Sequence, residues 1–78
     1  MKTGRAIYAL RKEKGLMLEA VANDAGTDAG YLSKIETGSR LPSLPMLVKI
    51  AAAMSVPVTL IVAMAEGEDV KLIPILIK

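Results

Sequence analysis

Residues 16–40 read LMLEAVANDAGTDAGYLSKIETGSR, and the rest of the chain is best interpreted outward from this stretch. Four apolar side chains recur at the i, i+3, i+4 and i+7 spacing of one helix face, namely Leu18, Val21, Ala22 and Ala25. Gly26 follows at once, and glycine readily takes the left-handed conformation in which helices often end. The pattern therefore predicts a short amphipathic helix that stops at this glycine.

A second short helix is predicted directly after the turn. Asp28 can accept backbone N–H groups as its N-cap, Leu32 and Ile35 lie three residues apart on one face, and Gly38 can end it. Two short helices joined by a tight glycine turn form a helix-turn-helix, whose second helix lies in the major groove of DNA.

The motif and its flanks resemble the Cro/repressor (XRE-type) family of helix-turn-helix domains. The resemblance rests on Gly26, on Tyr-Leu-Ser-Lys-Ile-Glu at 31–36, on Gly38, on Arg11 ahead of Gly15 and Leu16, and on Arg-Leu-Pro-Ser-Leu at 40–44. It covers residues 4–65, which is most of the chain. It implies an all-α, five-helix, lambda-repressor-like domain over residues 1–66, with a short strand-like C-terminal tail at 67–78.

The composition excludes most catalytic chemistry. With 78 residues the chain has room for one small domain. It has no cysteine and no histidine, which excludes disulfides, thiolate zinc sites, cysteine nucleophiles and histidine bases. Three acids near the C-terminus, Glu66, Glu68 and Asp69, are interpreted as a solvated turn and not as a cation site. We therefore expect no enzyme, no cofactor and no bound metal.

Charge and hydropathy favour a cytoplasmic DNA-binding protein, and the family resemblance implies a bacterial or phage origin. Residues 1–49 carry eight lysines and arginines against five acids, so the basic excess lies on the half with the motif. The longest uncharged run, residues 50–65, is 16 residues long. A membrane span needs about 20 apolar residues, and the N-terminus does not resemble a signal peptide.

The first helix is predicted to begin with Thr3 as its cap and to run to about residue 14. Arg11 falls at the edge of its apolar face, where a charge is costly without a partner. The resemblance implies that this arginine pairs with Glu36 near the end of the second motif helix. We expect this ion pair to brace the first helix against the helix that contacts DNA.

Further along the chain, Ser43 can cap a fourth helix, and Ser55 stands where relatives commonly have glycine. The fifth helix, residues 58–66, is apolar on nearly every face and must be covered on more than one side. A second subunit is the simplest cover, and the apolar tail favours a strand that pairs with its twin or packs on the helices. The expected dimer interface comprises Ile61, Val62, Met64, Leu72, Ile73 and Ile75.

The resemblance also implies a set of DNA contacts, namely Met17, Leu18, Thr27, Asp28, Ala29, Gly30, Ser33, Lys34 and Arg40. Lys34 is the best candidate for a guanine edge or a phosphate, Ser33 can bond either, and Arg40 corresponds to a loop arginine that grips the backbone. Ala29 and Gly30 stand where relatives place base-reading side chains, yet neither can hydrogen-bond a base. Part of the specificity is therefore expected from DNA shape or dimer spacing.

The side chains of three of these residues are not expected to contact DNA. Met17 occupies a cap position but cannot cap, and Leu18 cannot reach a phosphate with its side chain. Asp28 is expected to be occupied by backbone N–H groups. Tyr31 is interpreted as a packing residue with its hydroxyl at the surface, and a phosphate contact from that hydroxyl is the alternative.

The sequence thus predicts a sequence-specific, double-stranded DNA-binding regulator, acting as a homodimer and repressing transcription by blocking polymerase. One alternative is the antitoxin of a toxin–antitoxin pair, which would bind DNA through the motif and a toxin through the apolar C-terminus. Another is a protein-interaction module that has kept the fold and lost DNA binding. Nonspecific binding to duplex DNA at low salt separates this last alternative from the other two.

Overall fold

A computed structural model describes residues 2–66 of the chain. Its five helices are α1 (Lys2–Glu13), α2 (Leu18–Asp24), α3 (Ala29–Thr37), α4 (Leu44–Ala53) and α5 (Val58–Ala65). The predicted all-α, five-helix architecture is confirmed over this range. The strand-like tail predicted for residues 67–78, and the domain boundary that precedes it, lie outside the described residues.

One apolar core joins the five helices. α1 packs against α3 and α5, α2 packs against α3 and α4, and α4 packs against α5. The largest fully buried side chains are Ile7, Val21, Leu32, Ile35, Ile50, Met54 and Ile61. Full burial of a side chain of this size contributes about 1.5–3 kcal/mol. The two motif helices are therefore held in place by contacts with α1 and α4 as well as with each other.

Ile61 belongs to this core, so its predicted place in a dimer interface is wrong. The side chain is 0% exposed, because α5 turns it toward the other helices of the same chain, and it has no surface to offer a partner. Its neighbours Leu60, Val62 and Met64 are more than a third exposed. The remaining predicted interface residues lie outside the described range, namely Leu72, Ile73 and Ile75.

The helix starts follow the predicted caps in two of three cases. The Ser43 hydroxyl accepts the N–H of Met46 at 3.2 Å and so caps α4. The motif cap at Asp28 is described with the site below. The expected cap at Thr3 is wrong, because α1 already includes Lys2 and Thr3 is buried inside its first turn.

α4 and α5 form the apolar C-terminal part of the described domain. Among residues 2–66, no single helix is long and apolar enough to cross a membrane. Only as a pair do α4 and α5 reach the length and apolarity of a span, and the pair is bent by 110°.

Four helices end with the same two backbone hydrogen bonds, and one of the four lacks the usual glycine. At the end of α3, the N–H of Gly38 donates to the carbonyl of Ile35 and the N–H of Ser39 donates to that of Lys34. Equivalent pairs of bonds close α1, α2 and α4. The residue in the left-handed conformation is glycine in the first three helices, but at the end of α4 it is Ser55, with φ 59°.

Replacing Ser55 with glycine should therefore stabilise the domain by about 0.5–1 kcal/mol. A residue with a Cβ pays roughly 1–2 kcal/mol in the left-handed region, and the greater freedom of glycine in the unfolded chain cancels part of the gain. Urea unfolding of Ser55→Gly against the parent checks this. Ser55→Ala is the control, since it keeps the strained Cβ and should unfold near the parent midpoint. A glycine variant no more stable than the alanine variant would contradict the strain argument.

Candidate nucleic-acid interface

The turn between α2 and α3 is set by backbone bonds and a buried alanine. Ala25 is 1% exposed, so the end of α2 is anchored in the core. Gly26 then takes φ 79°, and the N–H of Thr27 donates back to the carbonyl of Ala22 at 2.9 Å. The turn between α2 and α3 is thereby completed within residues 25–28, which fixes where α3 begins relative to α2.

Asp28 caps α3, which begins at Ala29, as the sequence predicted. The Oδ1 atom of Asp28 accepts the N–H of Tyr31 at 2.8 Å, in the normal manner of an N-cap. The carboxylate is exposed but partnered with the backbone of the first turn. A negative charge at the start of a helix is favourable when it is used in this way, because the helix dipole and the N–H group offset it.

One face of α3 is buried and the opposite face is open. Leu32, Ile35 and Glu36 are buried against the rest of the domain. The other side presents a stripe of small and polar side chains, namely Ala29, Gly30, Ser33, Lys34 and Thr37. Gly30, Lys34 and Thr37 are exposed, while Ala29 and Ser33 are half-buried. This open face carries one cation and little side-chain bulk, so another surface can come close to the helix backbone.

The ion pair expected between Arg11 and Glu36 is present and bidentate. Arg11 Nε donates to Glu36 Oε2 at 2.7 Å, and Arg11 Nη2 donates to Oε1 at 3.1 Å. Arg11 Nη1 also donates to the carbonyl of Leu16 at 2.9 Å. The two side chains are only 10% and 6% exposed. Hydrogen bonding to Glu36 is the main cause that raises the pKa of Arg11 above its ordinary value, so the guanidinium stays charged. The pair ties α1, the loop before α2 and the end of α3 together.

The loop after α3 folds back onto the last turn of the helix. The carbonyl of Lys34 accepts the N–H of Ser39 at 2.9 Å and that of Arg40 at 3.1 Å. The Thr37 hydroxyl also donates to this carbonyl at 3.2 Å. Arg40 is exposed, and its guanidinium lies 5.3 Å from the centre of the Tyr31 ring. The loop therefore brings its arginine back beside the first half of α3.

The start of α2 presents no polar side chain at Met17 or Leu18. Met17 precedes the helix in an extended conformation, makes no side-chain capping bond and is 68% exposed. Leu18 is half-buried and packs on the core. The side chain of Leu18 is therefore committed to the fold, which leaves only its backbone N–H for any contact at this end.

Sequence reasoning missed the contact between Tyr31 and Arg40. It interpreted Tyr31 as a packing residue, and the ring does pack partly against the core. The available signal was weak: an aromatic residue in the first turn of a helix, and an arginine two residues past the glycine that ends it. Only the returning loop shows that the two side chains meet.

Sequence comparison matches the chain to known regulators. The family profile described as Helix-turn-helix matches residues 7–61. HTH-type transcriptional regulator SlrR of Bacillus subtilis is 40% identical over 57 residues, which are 72% of this chain and 38% of SlrR. HTH-type transcriptional regulator SinR of the same organism is 41% identical over 56 residues, which are 70% of this chain and 50% of SinR. The chain spans half or less of the length of these two relatives.

Two solved structures share the arrangement of helices. The clp gene regulator ClgR from C. glutamicum superposes with a TM-score of 0.83 at 28% identity, over 86% of this chain and 87% of that one. The restriction-modification controller protein C.AhdI from Aeromonas hydrophila superposes with a TM-score of 0.74 at 33% identity, over 77% and 91% respectively. The likeness therefore extends well beyond the two motif helices.

Proposed function

The chain belongs to the XRE-type helix-turn-helix family, and from this premise we propose that it regulates transcription by binding double-stranded DNA with α3 in the major groove. The observation that carries the proposal is the open face of α3, which presents Lys34 among small side chains while the opposite face is locked into the core. In finer detail, we propose a sequence-specific homodimer that acts as a repressor by blocking polymerase.

The shape of the open face suits a close approach to DNA. The major groove of B-DNA is about 12 Å wide and admits a helix. Gly30 has no side chain, and Ala29 can touch only an apolar group such as a thymine methyl. Since α3 is braced by the Arg11–Glu36 pair, it can enter the groove without losing its position against the rest of the domain.

Each residue of the site has a proposed contact. Lys34 is assigned to a guanine edge or a phosphate, Ser33 to a base or a phosphate, and Arg40 to a backbone phosphate. The remaining proposed contacts, made mostly through backbone or small groups, are Met17, Leu18, Thr27, Asp28, Ala29 and Gly30. With so few hydrogen-bonding side chains on the groove face, much of the specificity is assigned to DNA shape and to half-site spacing.

The relatives support gene control as the biological role. SlrR and SinR are named as transcriptional regulators, and ClgR from C. glutamicum is named as a clp gene regulator. C.AhdI is named as a controller protein of restriction-modification.

The proposal of a homodimer is supported by the surface of α5. Leu60, Val62 and Met64, three apolar residues of one short helix, are 38%, 36% and 37% exposed. A second copy would remove them from water. A dimer would also place two copies of α3 on successive turns of one face of DNA, about 34–36 Å apart.

Selection of bound duplexes from a random DNA pool, run beside sedimentation of the protein, tests the proposed function. The expected result is an enriched two-fold symmetric site bound by a dimer, with the half-site spacing given by the selected sequences. A folded protein that enriches nothing, and binds no duplex at low salt, would overturn it and favour the protein-interaction alternative. A bound monomer with one half-site would overturn the homodimer alone.

Lys34→Ala should weaken binding to the selected site by about 1–3 kcal/mol and relax the preference at one base position, if Lys34 reads a guanine. Competition between duplexes that differ at each position measures this. Lys49→Ala is the matched control, because it removes another exposed lysine from α4, outside the motif. Equal weakening on every sequence, with a shallower salt dependence, would make Lys34 a phosphate contact instead.

A further inference from the structure

Arg40 is held in place by two independent sets of contacts. Its backbone N–H donates to the carbonyl of Lys34, so the loop is fixed to the end of α3. Its guanidinium lies over the ring of Tyr31 at 5.3 Å from the ring centre, within the range of a cation–π attraction. These contacts favour one position for an exposed arginine whose side chain is long and flexible.

The tyrosine that holds it is itself fixed. Tyr31 lies in the first turn of α3, where its N–H is bonded to the Asp28 carboxylate at 2.8 Å. Its ring is half-buried and packs on the core. The ring is therefore a rigid surface, and the position of Arg40 follows from the position of α3.

We propose that Tyr31 is a positioning residue that holds the Arg40 guanidinium ready for a DNA phosphate; this rests on the DNA binding proposed above. The ring attracts the cation through its π face and consumes none of the guanidinium N–H donors, which stay available for a bidentate phosphate contact. Ordering a long side chain at the moment of binding is costly, and an arginine ordered in advance avoids most of that cost.

The arrangement predicts different roles for the ring and the hydroxyl of Tyr31. The π face positions Arg40, whereas the hydroxyl is not required. Phenylalanine at position 31 should therefore preserve DNA binding. Leucine, which fills similar space without a π face, should not preserve it.

Fluorescence anisotropy with a labelled duplex of arbitrary sequence, about 20 base pairs long and at low salt, tests the proposal without knowledge of the operator. Tyr31→Leu should weaken binding about two- to fivefold, which is the effect of a cation–π contact at an exposed site. Tyr31→Phe should bind like the parent. Arg40→Ala should weaken binding and reduce the salt slope by about one. Tyr31→Leu combined with Arg40→Ala should bind no more weakly than Arg40→Ala alone.

Several outcomes would overturn this role. Full additivity of the two substitutions would show that Tyr31 acts independently of Arg40. Equal loss in Tyr31→Phe and Tyr31→Leu would make the hydroxyl the contact. If Tyr31→Leu bound the duplex as tightly as the parent, Tyr31 would have no positioning role. A parent that binds no duplex at low salt would instead overturn the proposed function, so the two failures are distinguishable.

A measurement on the free protein does not depend on the stability of the leucine variant. Ring currents should shift the side-chain proton resonances of Arg40 upfield in the parent and in Tyr31→Phe. Random-coil shifts for Arg40 in a folded parent would overturn the proposal.

Discussion

Replacing Glu36 with alanine should destabilise the domain by about 3–5 kcal/mol, because it leaves the Arg11 guanidinium buried without its carboxylate. The two side chains are 10% and 6% exposed, so water cannot take the place of the missing partner. The total stability of a domain of this size is on the order of 5 kcal/mol, which means the variant should retain only about 0–2 kcal/mol and be partly unfolded near room temperature. Thermal unfolding followed by circular dichroism measures the loss, with a fall in Tm of more than about 10 °C.

Two further variants separate the buried charge from the general loss of a side chain. Lys12→Ala removes an exposed cation from the same helix, together with its contact at 5.8 Å from the centre of the Tyr8 ring, and should change stability by no more than about 1 kcal/mol. Arg11→Met combined with Glu36→Leu removes both charges. This double variant should lose less stability than Glu36→Ala alone, because no unpaired charge is left in the core. If Glu36→Ala unfolds like Lys12→Ala, the pair does not brace the domain.

Gly4→Ala should be strongly destabilising, by about 3 kcal/mol or more, although alanine is the better helix former. α1 crosses α3 so closely at this point that a Cβ on Gly4 would collide with the carbonyl oxygen of Ile35. It would also lie 3.0 Å from the carbonyl carbon of Ile35 and 3.1 Å from the carbonyl oxygen of Glu36. These are backbone atoms of a packed helix and cannot rotate away, so α1 would have to move as a whole. Urea unfolding of the variant against the parent gives the change in free energy.

The same substitution at Gly30 is the matched control. A Cβ there would meet only the Asp28 carboxylate at 3.2 Å, at the flexible end of a side chain. Gly30→Ala should therefore leave stability unchanged or raise it by up to about 1 kcal/mol, as helix propensity predicts. A loss of stability in Gly4→Ala but not in Gly30→Ala would show that the close crossing of α1 and α3 requires the glycine at position 4. Similar effects at both positions would contradict the crossing.

The destabilisation expected from Gly4→Ala and from Glu36→Ala has one structural origin. Gly4 lets α1 approach the end of α3, and Arg11 on the same helix then reaches Glu36. An α1 pushed outward by a Cβ would also lengthen the ion pair. The position of the helix proposed to contact DNA thus depends on a helix that carries none of the proposed contacts.

Much of the fold could be predicted because its signals are local. The periodicity of apolar residues placed the helices, Asp28 and Ser43 capped α3 and α4, and Gly26 and Gly38 took the left-handed conformation at their turns. The Arg11–Glu36 pair was predictable only through family resemblance, since nothing local links residues 25 positions apart. The open face of α3 also followed from the spacing of its buried side chains.

The errors came from features that no local pattern encodes. Ile61 is one of several similar apolar residues in α5, and which of them faces the core depends on where α1 and α4 pack. Thr3 resembled a cap, yet α1 extends past it. Gly4 drew no prediction from the sequence, because its importance comes from a backbone that is 31 positions away along the chain.

The residues alone were therefore enough to establish the five helices, their turns and the face of α3 that is open, because capping, glycine conformation and apolar periodicity act over a few neighbouring residues. The tertiary structure decided which side chain of α5 is buried, how near α1 comes to α3, and that Arg40 returns to Tyr31. Those features depend on the distances between elements packed into one core, and such distances are set by the fit of all the side chains together.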